Sequence, residues 1–232
     1  MTGIGVLGEG PLHAAVKQWL SQPGDRFEVP VGRWVIDLVR ADGELVEIQT
    51  GGFGPLGHKL DGLLDTHRMR IVHPVPAQRR IVRVDSDGVV LSERRSPKSA
   101  AALEVFDRLV AFPSLIGHPN LVVEVLLCSE DHVRSPAPLR SRSGRRSRDP
   151  GVRHLTGVLG RHEIHRPADA LDLLGAPLPA GAFTTAELAA ELGAPTVLAQ
   201  RVVYCLRLME LVEPAGKRGR APLHRPTGRA TA

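Results

Sequence analysis

Residues 34–50 read WVIDLVRADGELVEIQT, and this stretch decides the fold. Two runs rich in valine, leucine and isoleucine flank an Ala-Asp-Gly tripeptide at 41–43. The tripeptide fits a three-residue hairpin turn with Gly43 in the left-handed conformation, which glycine adopts without steric cost. We therefore predict two antiparallel strands, over 34–40 and 44–50.

The length of this turn fixes which side chains share a face of the hairpin. A three-residue turn places four apolar side chains together on one face: Ile36, Leu38, Val46 and Ile48. Asp37 then lies directly opposite Glu47 on the other face, where two like charges destabilise a hairpin. A divalent cation removes this repulsion, because Mg²⁺ prefers hard oxygen ligands and needs only one or two carboxylates. The register predicts a Mg²⁺ or Mn²⁺ site held by Asp37 and Glu47; the alternative is a pair of solvated hairpin residues.

Three further polar residues lie near the predicted pair. Gln49 follows the second carboxylate on the same face of its strand. Glu9 precedes a helix predicted over 10–20 and lies on its inward side, so a third carboxyl reaches the same place. Lys59 lies beside the apolar stripe of a second helix, predicted over 55–67.

The order of helix, hairpin, helix and strand over residues 9–74 resembles the PD-(D/E)xK nuclease superfamily. The resemblance rests on the spacing Asp-x9-Glu-x-Gln in the hairpin and on the helix that precedes it. It implies a restriction-endonuclease-like α/β fold and Mg²⁺-dependent hydrolysis of DNA phosphodiester bonds. In that comparison Asp37 and Glu47 hold the metal ion, and Glu9 assists.

Two residues depart from the family's pattern. Ile36 stands where the family often has proline, and Gln49 stands where it usually has the lysine that positions the attacking water. We expect Lys59 to supply the missing charge from a displaced position. The loss of the lysine supports a second hypothesis, in which a catalytically inactive nuclease fold binds DNA.

The first 133 residues alternate helices with strands, which favours an α/β fold with a mixed sheet flanked by helices. Beyond the hairpin we predict strands over 70–74, 80–84, 89–93 and 121–128, and a helix over 100–112. The predicted organisation is a nuclease-like core (1–133), an Arg/Ser/Pro-rich linker (134–150), a connecting segment (151–180), a helix-turn-helix module (181–226) and a tail (227–232).

Residues 183–226 resemble a winged helix-turn-helix. Thr184 and Glu187 have the spacing of a capping box, and Gly193 separates the first helix from a longer one that starts near Pro195. The resemblance implies that the longer helix faces a DNA groove and that a basic turn contacts phosphate. The implied groove-facing residues are Gln200, Arg201, Tyr204 and Arg207, and the implied wing contacts are Lys217, Arg218 and Arg220.

The positive charge is concentrated in two short segments. The chain has a net charge of +5, with six arginines and no acid over 134–148 and five basic residues and no acid over 217–229. The remainder carries a net charge of −6. This distribution favours a polyanionic partner, although arginine-rich loops in a GC-rich genome give the same pattern.

A smaller basic cluster precedes the predicted helix at 100–112. Arg94, Arg95 and Lys98 lie where the helix dipole disfavours cations. A phosphate bound at the helix N-terminus removes this conflict. The alternative is an exposed cap with solvated charges.

Other features limit the class of protein. No apolar run is long enough to span a membrane, and no secretory signal is visible. Cys128 and Cys205 lie in apolar patterns and indicate reduced core residues in a cytoplasmic protein. The leading hypothesis is a Mg²⁺-dependent DNA endonuclease. A third hypothesis makes the winged helix a protein-protein module, which includes pairing with itself in a homodimer.

Overall fold

The computed structural model describes residues 10–97, 99–135, 151–228 and 230. Helix α1 (Pro11–Leu20) begins with a proline, whose fixed φ suits the first helical turn. The other α-helices and strands up to residue 164 are β1 (Arg26–Val31), β2 (Trp34–Val39), β3 (Leu45–Ile48), α2 (Gly57–Leu63), β4 (Met69–Val84), β5 (Val90–Arg95), α3 (Phe106–Leu109), β6 (Leu121–Arg134) and β7 (Val152–Ile164). Glu9, Lys98 and nearly all of the predicted linker lie outside the described residues.

Strands β1 to β7 form one mixed sheet. Its order is β1-β2-β3-β4-β6-β7, and β5 pairs with β4 outside this order. Strands β3, β4 and β6 are parallel, and the other pairs are antiparallel. Strand β6 occupies one side of β4, whereas the other side is shared: β3 pairs with residues 69–72 and β5 with residues 80–84. The predicted α/β fold with a mixed sheet flanked by helices is confirmed.

The hairpin turn is confirmed. Gly43 has φ +86°, and the Arg40 amide donates to the Glu44 carbonyl oxygen at 2.9 Å. Leu38 lies opposite Val46, as a three-residue turn requires.

The predicted apolar face is wrong at Ile36. The paired ladder of β2 and β3 ends at Leu38, and the two strands diverge beyond it. Ile48 continues along β4 and packs with α1, whereas Ile36 packs in the hydrophobic cluster of α2. Because the strands separate, the simple alternation of faces does not extend past that pair.

Helices cover both faces of the sheet. Alternating residues of β4 belong to two different hydrophobic clusters: Val72 packs with Val16 of α1, and Ile71 packs with Leu60 of α2. Since successive side chains of a strand point to opposite faces, α1 and α2 lie on opposite sides.

The C-terminal residues form a small three-stranded sheet and two helices. The elements are β8 (Phe183–Thr184), α4 (Thr185–Glu191), α5 (Thr196–Leu208), β9 (Val212–Arg218) and β10 (Ala221–Pro226), and the strand order is β8-β10-β9. The predicted capping box of Thr184 and Glu187 is present. A 3₁₀ helix over Pro167–Leu174 precedes this sheet.

Several sequence predictions differ from the structure. Residues 100–112 form a 3₁₀ helix (Ala102–Val105) and the single turn α3 rather than one helix. The strands predicted over 70–74 and 80–84 are one continuous strand, β4. Strand β7 lies within the segment predicted to be a connection, so the sheet extends past residue 133. No helix in the described ranges is long and apolar enough to cross a membrane.

Candidate functional site

Asp37 lies at the point where β2 and β3 diverge. Its Oδ2 accepts a hydrogen bond from the Ile48 amide at 2.7 Å, so a side chain takes the place of the next backbone partner in the ladder. His13 Nε2 of α1 lies 3.1 Å from the same oxygen. Because an ionised carboxylate can only accept, His13 carries the proton of this hydrogen bond on Nε2. A histidine side chain from α1 and a backbone amide from the end of β3 therefore both contact the Asp37 carboxylate.

Glu47 lies on the neighbouring strand and is held by Lys59. Lys59 Nζ of α2 donates to Glu47 Oε1 at 2.7 Å and to the Val35 carbonyl oxygen at 3.0 Å. The Glu47 side chain is only 9% exposed, so this ion pair is shielded from water. Lys59, which the sequence predicts to lie near the site, is therefore in direct contact with the second carboxylate.

A glycine allows α2 to lie close to the hairpin. A Cβ atom built at Gly62 would lie 2.1 Å from Cη2 of Trp34, so only glycine fits against this ring. Lys59 and Gly62 are three residues apart and share a helix face. The close approach at Gly62 brings the Lys59 ammonium to the hairpin.

The two carboxylates have opposite pKa shifts. Burial, followed by the charge of Asp37, raises the pKa of Glu47 to about 7 and outweighs the opposing effect of Lys59. Burial also raises the pKa of Asp37, but the hydrogen bonds from His13 and the Ile48 amide outweigh it and the net pKa is lowered. Because the charge of Asp37 is among the causes that raise the pKa of Glu47, the two carboxylates are close enough to interact.

A second ion pair lies beside Asp37. Lys17, one turn after His13 on α1, forms an ion pair with Glu28 of β1 and also lowers the pKa of Asp37. Glu28 has φ +50°, an uncommon conformation for a non-glycine residue. His13, Lys17 and Glu28 were missed by the sequence analysis, and the i, i+4 spacing of the first two was the one available signal.

The backbone after β3 is held by main-chain and side-chain groups of β4 and β7. The Gln49 amide donates to the Val72 carbonyl oxygen, and His73 Nδ1 donates to the Gln49 carbonyl oxygen at 2.5 Å. Burial lowers the pKa of His73 to about 4, so its imidazole is neutral. Arg153 of β7 donates to the Thr50 carbonyl oxygen. Gln49 therefore contributes main-chain contacts that fix the end of the strand.

The donor set fits a hard divalent cation, with fewer protein ligands than expected. In residues 10–97, 99–135 and 151–228, no group of three His, Cys, Asp or Glu side chains is arranged to hold a metal ion. Asp37 and Glu47 remain as two neighbouring carboxylates, which suffice for Mg²⁺ with water as the other ligand. The assisting role of Glu9 stays a prediction, because Glu9 is outside the described residues.

The basic cluster before residue 100 has a different setting from the predicted one. Arg94 and Arg95 are exposed residues of β5 and do not precede a regular helix. The following 3₁₀ turn has no α-helical N-terminus at Ala100, so the predicted helix-dipole site for a phosphate is not formed. Lys98, the third member of the cluster, lies outside the described residues.

The residues predicted to face a DNA groove separate into two groups. Gln200, Tyr204 and Arg207 form an exposed stripe on α5. Arg201 instead forms an ion pair with Asp107 of α3, which corrects its predicted position. The helix packs against α3, and the half-exposed Arg201 side chain lies at this contact.

The predicted wing residues also differ in their contacts. Lys217 and Arg220 are exposed at the turn between β9 and β10. Arg218 forms an ion pair with Glu187 of α4 and donates to the Ala182 carbonyl oxygen. Arg218 therefore links strand β9 to α4 instead of extending freely into solvent.

Comparison with known proteins places most of this structure in one family. Residues 10–165 match the family described as "Domain of unknown function (DUF8091)". The chain belongs to this family. The matched region runs from α1 through β7 and includes the whole described site around Asp37 and Glu47.

A relative extends the similarity beyond the family region. An uncharacterized protein of Treponema pallidum (strain Nichols) is 29% identical over 223 residues, which are 94% of this chain and 85% of that protein. No solved structure matches the chain.

Proposed function

We propose that the protein is a cytoplasmic, Mg²⁺-dependent DNA endonuclease of the PD-(D/E)xK type. The observation that supports this proposal is the pair Asp37 and Glu47 on two diverging strands, with Lys59 bonded to Glu47. A buried carboxylate beside a half-buried one is costly in a hairpin that serves stability alone. The cytoplasmic location is supported by Cys128 and Cys205, which are both buried and free.

The two carboxylates would hold the metal ion. Both hydrogen bonds that Asp37 accepts from described residues fall on Oδ2, which leaves Oδ1 for a further ligand. A bound Mg²⁺ supplies Lewis acidity, lowers the pKa of a coordinated water and stabilises charge on phosphate oxygens. Burial, and after it the charge of Asp37, raises the pKa of Glu47, and a dication bound between the two carboxylates would stabilise the ionised form.

Lys59 takes the role that lysine has at the Gln49 position in the resembled superfamily. Its side chain is 15% exposed, it is fixed by two hydrogen bonds, and it carries positive charge next to Glu47. A cation held in this way stabilises negative charge on a phosphate without reorganising during the reaction. His13 keeps Asp37 ionised and oriented, because its Nε2–H is bonded to the carboxylate.

DNA docking by the C-terminal residues is supported by the exposed side chains of α5 and the turn between β9 and β10. The stripe of Gln200, Tyr204 and Arg207 offers amide, hydroxyl and guanidinium donors to a groove. Lys217 and Arg220 are placed for phosphate contact.

Cleavage assays test the enzymatic proposal. We expect nicking of plasmid or branched DNA in Mg²⁺ or Mn²⁺, and loss of this activity in Asp37→Asn. Lys59→Met should lower the cleavage rate by about 10²- to 10³-fold, the usual cost of removing one preorganised group that stabilises charge. Asp61→Asn, an exposed change on the same helix as Lys59, is the matched control and should cleave normally.

One specific observation favours an inactive DNA-binding protein instead. Each carboxylate already has a cationic or hydrogen-bonding partner on a flanking helix, so the site is compensated without a metal ion. If folded wild-type protein cuts no duplex, single-stranded or branched DNA in either metal, the inactive scaffold replaces the proposed nuclease.

A further inference from the structure

The sheet extends beyond the candidate site as a four-stranded arm. We use "β-arm" for residues 79–84 of β4, all of β5, residues 130–134 of β6 and residues 152–155 of β7. The arm starts near the site, because β3 and β5 lie in succession along the same side of β4. Ile48 pairs with Val72 and Arg95 pairs with Arg80, so the two ends are eight residues apart along β4, roughly 25 Å.

The register separates the charged residues of the β-arm onto two faces. Arg79 is paired with Glu130, Ile81 with both Arg94 and His132, and Arg83 with Arg134. Arg153 lies opposite His132. Since paired residues share a face and alternate residues along a strand share a face, five arginines lie together. We call this the arginine face: Arg79, Arg83, Arg94, Arg134 and Arg153.

The arginine face has little internal compensation. Glu130 is the one carboxylate that the register of the described strands places there, and it forms an ion pair with Arg79 at 2.6 Å. Arg83 and Arg134 are directly opposed on neighbouring strands and both are exposed. Like charges in this position destabilise a sheet unless an anion lies between them.

The opposite face of the β-arm is electrically balanced. Arg80 forms ion pairs with Glu93 and with Asp131, both on that face. Arg95 lies opposite Arg80 and belongs to this balanced face. Arg94 and Arg95 are therefore adjacent in sequence but face different surroundings.

The arginine face lies on the same side of the sheet as α1. Leu155, paired with Glu130, packs against the hydrophobic cluster that contains Leu12 and Val16 of α1. The same helix carries His13, which is bonded to Asp37. Arg153 on this face donates to the Thr50 carbonyl oxygen just beyond β3. The arginine face and the His13 contact of Asp37 therefore lie on the same side of the sheet, whereas Lys59 approaches Glu47 from the side of α2.

We propose that the arginine face of the β-arm binds the phosphate backbone of the duplex DNA that occupies the site at Asp37 and Glu47. This inference rests on the proposed function and adds a second contact region, separate from α5 and the wing. Three of these arginines, Arg83, Arg94 and Arg134, are exposed and lie on three different strands, which matches the repeated charges of a DNA backbone. The arm and the site are separated by less than one turn of duplex, so one DNA segment reaches both.

The test compares two neighbouring arginines. Binding of a labelled 20–30 base-pair duplex is measured by fluorescence anisotropy in EDTA at several salt concentrations, with wild type, Arg94→Ala and Arg95→Ala. If Arg94 neutralises one phosphate, Arg94→Ala should lower the slope of log affinity against log salt by about 0.9 and weaken binding roughly fivefold at 0.15 M salt. Arg95→Ala should bind as the wild type does. Arg83→Ala combined with Arg94→Ala should lose about twice as much slope.

The outcomes separate this inference from the proposed nuclease activity. Equal losses of DNA affinity for Arg94→Ala and Arg95→Ala would overturn the inference, because binding would then depend on the total positive charge and not on one face of the β-arm. Competition by poly-glutamate as effective as that by DNA would also overturn it and would indicate an acidic protein partner. A loss of DNA affinity confined to the variants with Arg94→Ala and Arg83→Ala supports the inference even if the wild type cleaves no DNA. If the wild type cleaves DNA and these variants bind and cleave as it does, the role of the β-arm is overturned and the nuclease proposal stands.

Discussion

The electrostatics of Asp37 and Glu47 follow from what surrounds each oxygen atom. Asp37 receives hydrogen bonds from a backbone amide and from His13, which favour its ionised form. Glu47 receives one from Lys59 but is more strongly affected by burial and by the charge of Asp37. Two neighbouring carboxylates with pKa values pushed apart are a pattern typical of sites that handle protons or metal ions.

The raised pKa of Glu47 predicts how metal binding and the free energy of unfolding depend on pH. Its folded pKa is about 7 against an ordinary 4.5, so the folded state binds the proton more tightly than the unfolded state does. The associated stability is present below pH 4.5 and is lost as the pH rises to 7, by about 3 kcal/mol for a shift of this size. Mg²⁺ requires the ionised form, so its stabilising effect should grow from pH 6 to pH 8.

Urea unfolding with and without Mg²⁺ measures both effects. Glu47→Gln should remove this part of the pH dependence and most of the stabilisation by Mg²⁺, whereas Asp61→Asn should keep both. Equal stabilisation of the wild type by Mg²⁺ at pH 6 and pH 8 would contradict the assignment of Glu47 as a metal ligand.

Local chemistry made part of this site predictable from sequence. The turn at Gly43 fixed the register near Leu38, and the register brought Asp37 and Glu47 to neighbouring strands. His13 and Glu28 were not predictable, because their positions depend on how α1 packs on the sheet and on an unusual φ angle in β1. Contacts between elements distant in sequence leave no periodic signal.

At the scale of elements, the packing of α2 on the hairpin decides where Lys59 lies. Gly62→Ala would place a methyl group 2.1 Å from Cη2 of Trp34, so the helix or the ring must move. Overpacking of this kind costs about 1–3 kcal/mol. We expect lower stability in urea unfolding and slower DNA cleavage, because Lys59 moves with its helix.

Gly57→Ala is the matched control on the same helix. A Cβ at Gly57 has no neighbouring atom within 4 Å, and alanine favours the helix by up to about 1 kcal/mol. This variant should be at least as stable as the wild type and should cleave normally. A Gly62→Ala protein as stable and active as Gly57→Ala would show that α2 does not need the close approach.

Some helices and strands could be predicted from the sequence, and others could not. The capping box at Thr184 and Glu187 predicted α4 because its signal is local. Strand β1 was not predicted, since it is mostly exposed and contains Pro30, which is tolerated on an edge strand. The helix predicted over 100–112 is divided into short turns where Val105 meets Phe106, two buried residues whose helix propensity is lower than that of alanine and leucine.

At the scale of the whole molecule, one hydrophobic cluster joins the main sheet to the C-terminal residues. Phe106 and Leu109 of the core region belong to the same cluster as Val202 and Leu206 of α5. The ion pair of Arg201 with Asp107 lies at the same contact. The linker predicted from composition over 134–150 separates these residues in sequence, but they pack together in the structure. Composition alone could not predict this contact.

The shared cluster predicts one cooperative unfolding transition for the full chain. Leu206→Ala on α5 and Leu60→Ala on α2 each remove a side chain that is fully buried in this cluster. Each should lower the free energy of unfolding by about 2–5 kcal/mol and shift the same single transition.

Urea unfolding followed by circular dichroism and by tryptophan fluorescence checks this prediction. The fluorescence reports on Trp19 and Trp34, both in the N-terminal region, whereas circular dichroism reports on the whole chain. Leu208→Ala, on the same helix as Leu206 but 45% exposed, is the control and should change stability by less than about 0.5 kcal/mol. If Leu206→Ala shifts the circular dichroism but leaves the fluorescence transition at its wild-type urea concentration, the two regions unfold separately. A single shifted transition in both signals means that α5, although predicted as part of a DNA-docking module, is also a structural support of the sheet that carries Asp37 and Glu47.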